Sequence, residues 1–276
     1  EMCIRDSDMP GHGLPLDVAV RGIASAGGAG RALAEWIVNG SPTTDLTGVD
    51  IRRFAPFNGN VRWLHDRVAE VLGVHYEIPW PNRELTTARP FRRSPVHHLL
   101  FEANANFGSR MGWERVNYFA PAGCDPAIEY TWGKPNWLPW SAAEQLNTRT
   151  AVTVFDQTSF SKYLMVGPDA QRALQWLCTN DVGVPVGTAV YTGMLNERGT
   201  YESDVTVTRT GPEEFLIVSS AATTERDKDH VRRNMPEGAR AELVDVTSSM
   251  AVFGVMGPQS RALLESLTDA DLSDTG

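Results

Sequence analysis

Cysteine is scarce in this chain of 276 residues: there are three, Cys3, Cys124 and Cys178. An odd, widely spaced set without a CxxC pair excludes a disulfide framework and a zinc site of ordinary spacing. It suits a reducing compartment. Long apolar runs are missing too. None approaches the ~20 residues of a membrane span, and no signal peptide is visible. Positive charge is in deficit, with 25 Lys and Arg against 34 Asp and Glu, a formal net charge of -9. With no Lys/Arg run to offset it, this argues against a nucleic-acid surface. His65 and His75 are isolated, and the adjacent His97 and His98 do not share a face of a helix or strand, so chelation by them is not expected. No GxGxxG fingerprint follows a strand.

What is present is an ordinary globular composition, 42% hydrophobic and 21% charged, long enough for about two domains. The most informative stretch is residues 180–209. Residues 190–195 read as a strand ending at the turn Asn196-Glu197-Arg198-Gly199. Asp204-Val205-Thr206-Val207-Thr208 alternates with period two, so Val205 and Val207 share one face, and Asp204, Thr206 and Thr208 share the other. A carboxylate on that hairpin wall, with Tyr191 and Asn196 before it, can touch a ligand. A solvated charge at a strand start is the competing reading.

Residues 20–40 read as a Gly-rich turn running into a helix with Ala29, Leu33, Trp36 and Ile37 on one face, ended by Gly40 and Pro42. Gly27, Gly28 and Gly30 remove Cβ atoms where the helix is expected to begin. Free N–H groups there would suit a phosphate or a reduced flavin; close helix–strand packing explains small residues equally well. Residues 60–72 read as a second helix stopped by Gly73. Trp113, Tyr118 and Phe119 lie in an aromatic stretch that would stack on a flat ring or form an aromatic seam. Residues 130–140, with Pro135 and Pro139, read as loop. Cys178 sits among apolar neighbours as a buried structural thiol. From residue 151 onward, strands alternate with helices, and a strand–Gly167-Pro168–helix unit recurs as strand–Gly257-Pro258–helix, a βα duplication.

Five motifs, in order, resemble one family. Arg21-Gly22-Ile23-Ala24-Ser25-Ala26-Gly27-Gly28-Ala29-Gly30 with the helix after it resembles the last flavin-contacting segment of the dimethylglycine/sarcosine dehydrogenases. Asp50-Ile51-Arg52-Arg53-Phe54 resembles the start of their central module, and Gly112-Trp113-Glu114-Arg115 the entry to their folate-binding region. Residues 191–199 and 202–207 resemble its folate-site strands, and are also similar to the aminomethyltransferase (T-protein) of the glycine cleavage system.

The resemblance implies a mixed α/β (α+β) multidomain fold: the C-terminal tail of an FAD-binding α/β domain, then a partial aminomethyltransferase-like folate-binding domain. It divides the chain into residues 1–7 of non-native character, 8–48 ending the FAD domain, 49–97 as a central module and 98–276 as the first part of the folate domain, an internal fragment of a longer enzyme. It implies FAD and tetrahydrofolate as cofactors, with Gly27, Gly28 and Gly30 at the flavin, and Tyr191, Asn196 and Asp204 at the folate. Asp204 is the implied catalytic carboxylate. The implied substrate is a small methylated glycine, oxidatively demethylated, with an electron-transfer flavoprotein as a candidate acceptor. A cytoplasmic location follows for a bacterial chain, and the mitochondrial matrix for a eukaryotic one. The alternative is a folate-binding module without amine oxidation. Two departures stand out: Thr200 where the family usually has a second Gly, and Gln145 where a His commonly follows the Glu matching Glu144.

Overall fold

The computed structural model describes residues 22–46 and 48–273. The expectation for residues 1–7 lies outside them. In chain order the elements are α1 (Gly22–Asn39), a 3-10 turn (Ile51–Arg53), α2 (Val61–Val74), α3 (His97–Glu102), β1 (Ala105–Arg110), β2 (Trp113–Phe119), α4 (Leu138–Thr150), β3 (Thr153–Asp156), β4 (Ser161–Val166), α5 (Ala170–Leu177), β5 (Ala189–Leu195), β6 (Tyr201–Gly211), β7 (Glu214–Ser219), α6 (Thr224–Asn234), β8 (Glu242–Asp245), β9 (Phe253–Met256) and α7 (Ser260–Glu265). The mixed α/β class is as expected. The described chain forms two compact units.

The first unit holds residues up to 77, 85–88 and 161–246. Its frame is a five-stranded sheet in the order β5-β6-β7-β4-β8, antiparallel throughout. Alternation along β6 turns Val205 and Val207 inward, 2% and 1% exposed. They join Met165, Phe215 and Ile217 of the neighbouring strands, Leu174 of α5 and Val231 of α6. Each such burial contributes roughly 1.5–3 kcal/mol, so this sheet, with α5 and α6 packed on it, is the rigid platform. Asn60 caps α2 by accepting the Trp63 N–H at 3.1 Å. That helix runs through Gly73 to Val74, one turn position past the expected stop, because Gly lowers helix stability without ending a helix by itself.

The second unit holds residues 78–84, 89–160 and 247 onward. It is built on the β1–β2 hairpin and the β3–β9 pair. Trp113 and Tyr118, read as candidates for stacking on a ligand, are 6% and 2% exposed. Arg92 lies over the Trp113 ring at 4.2 Å, and Tyr118 stacks on Trp137 with centroids 5.8 Å apart. Their faces are therefore spent on the unit's own core. Residues 138–140, read as loop, open α4 instead; Pro139 falls in the first turn, where its missing N–H costs no helix bond. Glu144 ties α4 to β2 by accepting the Phe119 N–H at 2.7 Å.

The duplicated motif is visible in backbone geometry. Gly167 and Gly257 adopt φ of +124 and +127. In each, an added Cβ would strike a backbone carbonyl, of Arg240 and Ala151 respectively. The residue two further on donates its N–H to that same carbonyl: Asp169 to Arg240 at 3.3 Å and Gln259 to Ala151 at 3.1 Å. The copies differ in burial. Leu174 and Leu177 are in the core, whereas Leu267 lies beyond α7 and is 74% exposed.

Candidate functional site

The β5–β6 hairpin carries the site. Its register pairs Gly193 with Asp204 and Tyr191 with Thr206, so Tyr191 and Asp204 are diagonal neighbours on one face. The Tyr191 hydroxyl donates to Asp204 Oδ2 at 2.9 Å. That bond and the carboxylate charge raise the phenol above its ordinary value, since ionising it would place two negative charges in contact. Tyr191 is 65% exposed and Asp204 is exposed too; both stay open to a ligand.

Sequence reasoning missed the third member, Tyr201. By simple alternation it belongs with the inward Ser203, Val205 and Val207. A register shift between Met194 and Leu195 breaks the alternation and pairs Leu195 with Tyr201. The ring then lies over Gly193, where an added Cβ would meet Tyr201 Cε1 at 2.6 Å. Because Gly193 is directly opposite Asp204, the ring is on the carboxylate's face. The signal in the sequence was Gly193 itself: a glycine inside a strand marks a close approach. The result is an open wall with two exposed tyrosine rings and one carboxylate.

Asn196 is placed beside this wall but works for the turn. Its Oδ1 accepts the N–H groups of Arg198 at 3.0 Å and Thr200 at 3.2 Å. Its Nδ2 donates to Thr200 Oγ1 at 2.7 Å and Glu202 Oε1 at 2.9 Å. Every polar atom of the side chain is engaged. Gly199 takes the left-handed conformation, φ +73. Thr200 needs no such φ, and its hydroxyl serves the turn, which accounts for a residue other than Gly there.

Gly27, Gly28 and Gly30 do not open a helix as expected. α1 is already helical at Gly22, so their N–H groups lie beyond the first four and are engaged in the helix ladder. They are exposed, and an added Cβ at any of them would meet nothing within 4 Å. The segment offers close approach to bare backbone and no cradle of free N–H donors.

Cys178 is buried, and burial pushes its thiol up to about 12. Among the described residues no group of three or more His, Cys, Asp or Glu could hold a metal ion, and no helix is long and apolar enough to cross a membrane.

Comparison with known proteins places these features. The GCVT N-terminal domain model matches residues 96–276, and the FAD dependent oxidoreductase central domain matches residues 39–94. The 4-methylaminobutanoate oxidase (formaldehyde-forming) of Paenarthrobacter nicotinovorans is 39% identical over 254 residues, covering 92% of this chain and 31% of that protein. Mitochondrial sarcosine dehydrogenase of Homo sapiens is 32% identical over 292 residues, covering 92% of this chain and 32% of that protein. The chain thus spans about a third of the length of these curated relatives. A solved structure, the glycine cleavage system aminomethyltransferase T from Bartonella henselae, aligns with TM-score 0.51 and 22% identity over 64% of this chain and 43% of that one, a likeness of fold. With the five-stranded sheet, the hairpin wall and these matches together, the chain belongs to the GCVT N-terminal domain family, preceded here by an FAD dependent oxidoreductase central domain.

Proposed function

We propose that this chain supplies the folate-capture part of a flavin-dependent dehydrogenase that demethylates a small N-methylated amino acid, of the sarcosine or dimethylglycine kind. One observation carries the reading: Asp204, hydrogen-bonded to Tyr191 and flanked by Tyr201, stands exposed on a rigid sheet in a chain of this family. When bound, FAD supplies hydride acceptance and tetrahydrofolate supplies the amine that captures the one-carbon unit. The wall suits the second of these: a flat ring edged with N–H groups finds two aromatic surfaces and an acceptor. Asp204 accepts a proton at Oδ1 or Oδ2 as the captured carbon is joined, and its charge favours a cationic reaction partner. Tyr191 orients that carboxylate by donating to Oδ2. Asn196 shapes the turn behind them. Gly27, Gly28 and Gly30 enter as a surface of close approach to the flavin, without N–H donation. An electron-transfer flavoprotein is the proposed acceptor. The soluble location proposed is the cytoplasm in a bacterium and the mitochondrial matrix in a eukaryote.

The test is Asp204→Ala in the full-length protein. Amine oxidation is expected to survive, while the yield of methylenetetrahydrofolate falls about 100-fold; an unchanged yield removes Asp204 from the chemistry. A second reading follows from the relative named as formaldehyde-forming: the one-carbon unit leaves as free formaldehyde. Product analysis with tetrahydrofolate present separates the two. Absence of any amine oxidation in the full-length protein would favour a folate-binding module alone.

A further inference from the structure

The wall is held from behind by a route that the proposed chemistry does not use. Glu202, two residues before Asp204 on β6, accepts Asn196 Nδ2 on Oε1 at 2.9 Å. Its Oε2 accepts Arg226 Nη2 at 2.7 Å and Nε at 3.1 Å. Both side chains of this ion pair are less than 20% exposed, 19% for Arg226 and 18% for Glu202. Burial alone would raise the Glu202 carboxyl, but Asn196 and Arg226 outweigh it and hold it below its usual range. Arg226 thereby connects helix α6 to the turn that begins β6.

α6 is itself anchored at the next residues. Asp227, 3% exposed, accepts the Ser219 hydroxyl from β7 and the Thr223 hydroxyl at 2.8 Å. Asp229, one helical turn from Arg226, accepts Arg52 Nη1 at 2.9 Å. Arg52 is in turn held by Asp50, at 2.5 Å from Nη2. A planar guanidinium with two contacts to one carboxylate fixes direction as well as distance. The helix is therefore a stiff base, and the Arg226–Glu202–Asn196 chain transmits its position to the strand that bears Asp204.

We propose that Arg226 is a positioning residue for the Tyr191–Asp204 wall, acting through Glu202 and the Asn196 turn. The inference rests on the folate reading for its ligand and on geometry alone for its mechanical part, and the two parts fail separately. The experiment uses the full-length protein and two readouts: the titration of the Tyr191 phenol, identified by the tyrosinate signal lost in Tyr191→Phe, and the Kd for tetrahydrofolate. Arg226→Met is expected to bring the Tyr191 titration down towards the ordinary value of about 10 and to weaken tetrahydrofolate about tenfold. Arg226→Lys is expected to recover part of both, and flavin reduction by the amine without folate is expected to stay unchanged. Glu202→Gln, which keeps shape and removes charge, repeats the test if Arg226→Met does not fold. A Tyr191 titration that is the same in Arg226→Met or Glu202→Gln as in the unaltered protein overturns the proposal, even where affinity falls. Unaltered protein that binds no tetrahydrofolate overturns the folate reading, while the Tyr191 titration still decides the role of Arg226.

Discussion

Gly193→Ala and Gly167→Ala make the same chemical change and should have opposite consequences. At Gly193 the added methyl would arrive 2.6 Å from Tyr201 Cε1. What it meets is the far end of a side chain that is 66% exposed, free to swing aside. The backbone of a strand accepts Ala at φ below zero, and replacing Gly there returns roughly 0.5–1 kcal/mol of chain entropy. Displacing the ring forfeits contacts of similar size, so net stability should change by less than ~1 kcal/mol. The proposed binding wall, however, loses one of its two rings, about 1 kcal/mol or a fivefold rise in Kd for tetrahydrofolate. At Gly167 the residue sits at φ +124, and the methyl would strike the carbonyl of Arg240, which is already bonded to the Asp169 N–H at 3.3 Å. Neither partner can retreat without breaking the strand-to-helix corner, and a cost of about 3 kcal/mol or more is expected. Urea unfolding followed by circular dichroism measures the first quantity, and ligand titration by fluorescence the second. Equal destabilisation by the two substitutions would refute the account of Gly193 as a seat for the ring. An unchanged Kd in Gly193→Ala would remove Tyr201 from the wall.

Glu70 gives a pH prediction. Burial works to raise its carboxyl, but bonds from the side chains and N–H groups of Thr87 and Thr86 overcome this and bring it from 4.5 to about 2. A depressed folded value means the stabilisation is complete above pH ~4.5 and is lost as pH falls towards about 2. Glu70→Gln should therefore loosen residues 85–88 at neutral pH and remove that part of the acid dependence, as read by amide exchange of Thr86 and Thr87. Thiol labelling of the native protein near pH 8 should modify Cys124, which is exposed, and spare Cys178, whose thiol is buried and raised to about 12. Labelling of Cys178 at a rate equal to Cys124 would show that the α5 end opens readily.

Local pattern carried a good part of this protein. Period-two alternation was enough to place Val205 and Val207 inside and Asp204 outside, because side-chain direction in a strand follows from backbone pleating alone. The Gly-Pro corners at residues 167 and 257 were legible for a related reason: only glycine tolerates their φ, so the residue type reports the conformation. Local pattern failed where a partner distant in sequence decided the outcome. The aromatics of β2 looked available to a ligand and were instead claimed by Trp137 and Arg92. The glycines of α1 looked like an open turn, yet helix formation reached back to Gly22 and engaged their N–H groups.

By itself, then, the sequence determined the chemical inventory, the sheet-facing residues of the hairpin and, through ordered motifs, the family. Only the tertiary structure decided that Tyr201 joins Asp204, that Asn196 is spent on its own turn and that Arg226 stands behind Glu202. Each of these depends on a register shift or a contact across elements, and neither is encoded by the periodicity of one strand.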